Sequence, residues 1–348
     1  MALYPLLRPL AFALDAEAAH RATIRALKLL PAGKAAAPDP MLAASVAGLT
    51  FPNPVGLAPG FDKDAEVYRQ MLGFGFGFVE VGTLTPLPQA GNPKPRLFRL
   101  AEDRAVINRL GFNNRGQAMA LARLEGRERK AGIVGVNIGA NKDSSDRVAD
   151  YAAGVRAMIG TADYLTVNIS SPNTPGLRAL QDEGALDALL EAVVEARDAG
   201  PPLFLKVAPD LEPADVDAIA RIAIARRIDA LIVANTTISR PALKSRHRGE
   251  TGGLSGAPLK ALALQRLKDF RAATGGELPL IAVGGIENGA DAYARIRAGA
   301  SLVQLYSALV YEGPGLARRI NRELRALLER DGFASISAAV GSQSLIRN

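Results

Sequence analysis

The 348 residues include no cysteine, no tryptophan and two histidines, and they carry a formal charge of +7 with 48% hydrophobic content. Disulfides, thiolate zinc sites, iron–sulfur clusters and a cysteine nucleophile are thereby excluded, and a histidine-based metal centre is not expected. The charge suits an anionic partner, yet the basic residues are dispersed and only 5% of the chain is aromatic, so nucleic acid is not expected.

No apolar run reaches the roughly eighteen residues of a membrane-crossing helix. The N-terminus lacks the ordered regions of a signal peptide, so an intracellular protein is expected. Tyr4–Ala13 is short and apolar, broken by Pro5 and Pro9. Asp15 can N-cap a second helix running to about Leu30, where Pro31 and Gly33 stop it. Arg21, Arg25 and Lys28 stack on one stripe of that helix, and Ala19, Ala22, Ala26 and Leu30 line another. Residues 1–40 therefore read as an amphipathic cap for an anionic membrane surface, or as a helix pair packed on its own domain. Pro31–Pro40 reads as a linker.

From residue 45 onward eight short apolar runs recur, at Val55–Ala58, Phe78–Gly82, Ile133–Ile138, Tyr164–Ile169, Leu203–Val207, Ala230–Ala234, Leu280–Val283 and Leu302–Leu305. Between most of them lie segments of helical period, such as Ala185–Asp198, Pro213–Arg226, Leu259–Ala273 and Ala290–Ala298. Continuous apolar strands alternating with amphipathic helices predict a parallel sheet covered by helices, and eight such units predict a (β/α)8 TIM barrel over 41–348. The stretch Thr83–Lys130 is too long for one connection. It predicts an inserted hairpin across the barrel mouth, followed by a helix from about Arg115.

Catalytic groups of such barrels sit at the C-terminal strand ends. The fourth run stops abruptly in Ser170-Ser-Pro-Asn-Thr-Pro-Gly176, a loop dense with hydroxyls and amides that cannot continue a strand. Gly284-Gly285 and Tyr306-Ser307 end the seventh and eighth runs, the usual phosphate-binding corner. Asn108, Asn168, Asn173 and Asn235 match the alternating edge of a cyclic imide, although each also suits a turn. Lys63 can hold a carboxylate. Lys206, at the end of an apolar strand, needs a charge to meet, and an electron-rich reduced cofactor would supply one.

Nine ordered blocks resemble the class 2, quinone-linked dihydroorotate dehydrogenase family. They include Ala58-Pro-Gly-Phe-Asp-Lys-Asp64, Glu80-Val-Gly-Thr-Leu-Thr-Pro86, Asn92-Pro-Lys-Pro-Arg-Leu-Phe-Arg99, Asn108-Arg-Leu-Gly-Phe-Asn-Asn114 and Asn168-Ile-Ser-Ser-Pro-Asn173. The resemblance implies a peripheral enzyme on the cytoplasmic face of the cell membrane. It would oxidise (S)-dihydroorotate to orotate on FMN and pass the electrons to a membrane quinone, in pyrimidine biosynthesis. It implies Ser171 as the catalytic base. Substrate contacts would be Lys63, Asn108, Arg109, Leu110, Gly111, Phe112, Asn168, Asn173, Asn235 and Thr236. FMN contacts would be Pro59, Gly60, Phe61, Asp62, Lys63, Thr83, Asn137, Asn168, Lys206, Ala234, Gly256, Gly285, Tyr306 and Ser307. Pro59 and Ala234 depart from the family's more usual Ala and Thr, which implies backbone contacts there. His20 and Arg99 would line the quinone tunnel formed by the N-terminal helices. On the residues alone two other readings stay open: a flavin barrel acting on another cyclic amide, and a barrel that binds a phosphorylated metabolite without flavin.

Overall fold

The structure, a computed structural model, describes residues 4–128 and 131–345. Met1–Leu3, the expected end of the insertion at Lys130, and Ile346–Asn348 lie outside the described residues. Among those described, the strands in chain order are β1 (Ala44–Val46), β2 (Leu49–Phe51), β3 (Val55–Leu57), β4 (Phe78–Leu84), β5 (Leu97–Leu100), β6 (Ala105–Asn108), β7 (Ile133–Ile138), β8 (Tyr164–Asn168), β9 (Leu203–Val207), β10 (Ala230–Val233), β11 (Gly253–Gly256), β12 (Leu280–Val283) and β13 (Ala300–Leu305). The helices are α1 (Tyr4–Ala13), α2 (Ala16–Lys28), α3 (Tyr68–Gly73), α4 (Gln117–Leu124), α5 (Arg147–Met158), α6 (Glu183–Arg197), α7 (Pro213–Ala225), α8 (Lys260–Ala273), α9 (Gly289–Arg297), α10 (Ser307–Glu312), α11 (Leu316–Arg330) and α12 (Ile336–Ala339).

β3, β4, β7, β8, β9, β10, β12 and β13 close an eight-stranded parallel barrel, and they coincide with the eight apolar runs. Helices cover the outside, so a strand such as β4 is buried at all seven positions. The interior is packed rather than hollow. The Tyr164 and Phe204 rings stack with centroids 4.5 Å apart. Phe51 of the β1–β2 hairpin meets Phe78 edge-on at 5.0 Å, which plugs the N-terminal end. Aromatics this large fit only because glycines face them: a Cβ on Gly135 would lie 2.1 Å from the Tyr164 ring. We therefore expect Gly135→Ala to cost about 1–3 kcal/mol or more by overpacking. A denaturant midpoint equal to that of the parent protein would contradict this.

The insertion folds as expected into the β5–β6 hairpin and α4. The hairpin gains a third strand, β11, which arrives from the loop after β10 and pairs antiparallel with β6. β11 has weak strand character, Gly-Leu-Ser-Gly, but a Cβ on Gly253 would sit 1.9 Å from Thr236 Oγ1, so a glycine is required there.

Asp15 caps α2 as expected, its carboxylate accepting the Ala18 N–H at 2.9 Å. α1 differs from expectation, because one helix runs unbroken through both prolines. Pro5 falls in the first turn, where no bond is lost, and Pro9 forgoes only the bond to the Pro5 carbonyl. The helix pair is tied down by polar contacts. Arg96 forks onto Glu17 of α2 at 2.9 and 3.0 Å, both side chains being buried. Arg99 donates to the Ala11, Phe12 and Leu14 carbonyls that end α1. No helix among the described residues is long and apolar enough to cross a membrane.

Candidate active site

A cavity of about 630 Å3 opens at the C-terminal strand ends and continues between α1 and α2. Ser171, Lys63, Asn108, Leu110, Gly111, Phe112, Asn168, Asn173, Asn235 and Thr236 all line it. So do Pro59, Gly60, Phe61, Thr83, Lys206, Gly256, Gly285, Tyr306 and Ser307, and at the helix end His20 and Arg99. Four expected residues do not. The Asp62 carboxylate accepts the Glu66 and Val67 N–H groups at 2.7 and 2.8 Å and so shapes the loop that carries Lys63. Arg109 pairs with Glu250 at 2.8 Å and lies over the Phe98 ring, away from the cavity. Asn137 is buried behind Thr83 and Asn168, and Ala234 is buried at the end of β10.

The amides form a connected frame. Asn168 donates to Thr83 Oγ1 at 3.1 Å and to Asn137 Oδ1 at 3.0 Å, and it accepts the Ser170 hydroxyl at 2.8 Å. Asn235 donates to Ser170 Oγ at 2.8 Å, and Asn173 donates to Asn108 Oδ1 at 3.1 Å. Four strand ends and the inserted hairpin are thus held in one register around the cavity. Ser171 is 5% exposed, and its Oγ accepts the Asn173 N–H at 3.3 Å.

The cations sit where burial works against their charge. Lys206 is 3% exposed, and its ammonium makes no hydrogen bond or ion pair among the described residues. Burial lowers its pKa, offset in part by the field of Glu80. Burial also pushes Lys63 down to about 8, and its ammonium donates to the Gly60 carbonyl. His20 is pushed down to about 3, first by burial and then by the Lys63 charge, so it is neutral near pH 7. Its Nδ1 lies 3.4 Å from the Tyr306 hydroxyl, and Phe61 packs edge-on against its ring.

The dihydroorotate dehydrogenase family model matches residues 41–328. The chain belongs to the dihydroorotate dehydrogenase family. Among curated relatives, "Dihydroorotate dehydrogenase (quinone)" of Erythrobacter litoralis is 67% identical over 342 residues, covering 98% of this chain and 100% of that protein. The protein of the same description from Novosphingobium aromaticivorans is 65% identical over 349 residues, covering 99% and 100%. Among solved structures, the crystal structure of DHODH from Eimeria tenella in complex with ferulenol superposes with a TM-score of 0.89 at 44% identity. It covers 94% of this chain and 95% of that one.

Two features of this site were not picked out from sequence. Glu80 is fully buried inside the barrel, where its carboxylate accepts from Asn137 at 2.7 Å, Tyr164 at 3.0 Å and Gln304 at 2.6 Å. The signal available was the same as for Lys206, a charge inside a continuous apolar run. The Glu17–Arg96 fork joins residues 79 apart and carries no local sequence signal.

Proposed function

We propose that this chain oxidises dihydroorotate to orotate, with FMN as the hydride acceptor and a membrane quinone as the final electron acceptor, in pyrimidine biosynthesis. The observation that carries the reading is the single cavity that runs from Ser171, Lys63 and Lys206 to the N-terminal helices, in a chain matching quinone-type relatives from end to end. Two local features fit FMN. Lys206 presents a buried, unpaired ammonium to the cavity, which suits an electron-rich ring. The Gly284-Gly285 turn leaves a cradle where a Cβ would meet Leu259 Cδ2 at 2.8 Å or Lys260 Cα at 2.4 Å, beside Gly256 and Ser307. Backbone N–H groups can approach a phosphate closely there.

When bound, FMN supplies the two-electron acceptor for the hydride at C6 of the substrate and hands those electrons on to quinone. The protein's share is binding, orientation and the proton. Lys63 holds the substrate carboxylate, while Asn108, Asn173 and Asn235 read its imide edge. Ser171 Oγ takes the proton from C5, which the substrate's carbonyl acidifies, and passes its own hydroxyl proton on to a relay water. The neighbouring Thr174 hydroxyl is buried without a hydrogen-bond partner among the described residues, free to orient that relay water. Lys206 holds positive charge against the ring. Asp62, Asn137 and Ala234 act from behind the cavity wall, and Arg109 contributes through its backbone.

We assign residues 1–40 to a quinone cap and 41–348 to the catalytic barrel. The cap's exposed leucines, among them Leu6 at 72% and Leu29 at 86%, would dock it peripherally on the cytoplasmic face of an anionic membrane. Anaerobic dihydroorotate should bleach the yellow protein, and quinone, not fumarate or NAD, should restore the colour. A colourless protein, or one that dihydroorotate leaves yellow, overturns the assignment. Deleting residues 1–35 should keep the bleaching but slow reoxidation by quinone roughly tenfold or more, as loss of about 1.4 kcal/mol of binding would. An unchanged reoxidation rate would remove the cap from the electron path.

A further inference from the structure

A second cavity, of about 400 Å3, lies beside the first. Phe61, Lys63, Leu110, Asn113 and Tyr306 are among the side chains that face both, so these form the partition between them. The two spaces differ in chemistry. Where the larger one passes between α1 and α2, its wall is apolar, with Leu7, Phe12, Ala19 and Leu27. The smaller is lined by six cationic side chains, Arg21, Arg25, Lys28, Lys63, Arg96 and Arg115.

Its four acids are already engaged. Glu17 holds Arg96, Glu66 holds Lys28, Asp64 accepts the Arg115 N–H, and Asp62 accepts the Glu66 and Val67 N–H groups. The side chains of Arg25 and Arg115, by contrast, make no hydrogen bond or ion pair among the described residues, and Arg21 reaches only Glu17, at 3.9 Å. On the partition, Asn113 Oδ1 is buried without a hydrogen-bond partner among the described residues. Lys63 is the only cation among the described residues that faces both spaces.

We infer that this second cavity is a vestibule for small carboxylate anions, through which dihydroorotate reaches Lys63 and orotate leaves, separate from the apolar route taken by quinone. The inference rests on the reaction proposed above. With six cations against four acids the recess keeps a net positive charge, and an excess of one sign between low-dielectric walls focuses its field and raises the local concentration of an anion. An uncharged quinone gains nothing from such a field. The basic stripe of α2 lies along this recess, so its cations converge with Lys63 on one concave space, as a small carboxylate requires and a flat lipid surface does not.

The test uses the full-length holoenzyme in detergent with saturating soluble quinone. Arg25 and Arg115 are both exposed, so the double variant Arg25→Glu/Arg115→Glu should fold normally. Its kcat/KM for dihydroorotate should fall roughly tenfold or more at low ionic strength, the gap closing as salt is added. Its KM for quinone should stay at the parental value. Arg156→Glu/Arg322→Glu makes the same charge change on the outer helices α5 and α11, outside both cavities, and should behave like the parent. Parental kcat/KM in the vestibule variant, or an equal loss in the control, overturns the inference. So does loss of binding to vesicles rich in anionic phospholipid with kcat/KM unaltered, because the stripe would then read lipid. If dihydroorotate fails to bleach the parent protein, the reaction itself falls, a result visible before any variant is made.

Discussion

Ser171→Ala should retain its full complement of FMN and lose about 10²–10⁴-fold in kcat at neutral pH. The side chain sits in the loop after β8, 5% exposed, with its Oγ facing the cavity and held by the Asn173 N–H. Removing one oxygen leaves that loop otherwise supported, because the frame runs through Ser170, Asn168 and Asn235 instead. Flavin content should therefore be unaltered, and the loss should fall on the proton transfer alone. Serine is a weak base, with a hydroxyl pKa far above neutrality, so the parent's kcat should climb with pH while the variant stays low throughout. The flavin absorbance ratio and the rate of anaerobic bleaching separate the two effects. A variant within tenfold of the parent would remove Ser171 as the base.

Lys63 should impose a falling limb on the alkaline side of the pH profile. Burial, more than any charge, brings its ammonium from an ordinary 10.5 to about 8. On the proposed assignment the substrate carboxylate binds the protonated form, so 1/KM for dihydroorotate, in which the pH dependence of the chemical step cancels, should hold below about pH 8 and drop about tenfold per pH unit above it. The bound carboxylate raises the lysine's pKa again, so kcat should keep climbing past the pH at which 1/KM begins to fall. Lys63→Met leaves the carboxylate unpaired in a buried site. That should cost roughly 2–5 kcal/mol, or about thirtyfold to several thousandfold in kcat/KM, and erase the limb. A KM for dihydroorotate that stays level to pH 9.5 would contradict the assignment.

The barrel was legible in the sequence because a strand covered on both faces has few polar positions to spare. Each of the eight strands is a mainly apolar run, and Lys206 stood out because it interrupts one. The site loop was legible because Ser170–Gly176 cannot prolong β8. What escaped depends on pairs far apart in the chain. β11 takes its strand conformation from β6, 145 residues earlier at the Asn108–Gly253 pair, and not from its own residues. Arg96 and Glu17 are each ordinary surface types until the fold brings them together and buries both. Arg99 was expected beside the quinone, and it does face the cavity, but its guanidinium also closes the C-terminal turn of α1. The proline-containing helix was misread because Pro5 stands in the opening turn, where no bond is lost, and Pro9, inside the helix, forgoes only the bond to the Pro5 carbonyl.

No residue of α1 is fully buried, and the helix is held chiefly by Tyr4 on the Val310 carbonyl, Arg8 on the Tyr311 carbonyl and Arg99 at its end. Swinging it aside therefore takes far less free energy than disturbing any barrel strand. On the proposed reading, one wall of the acceptor channel would be a pliant panel, while the wall facing the proposed flavin site is stiff. Isoprenoid tails of different length should consequently be accommodated with little change in turnover, and discrimination among acceptors should lie in the quinone head group.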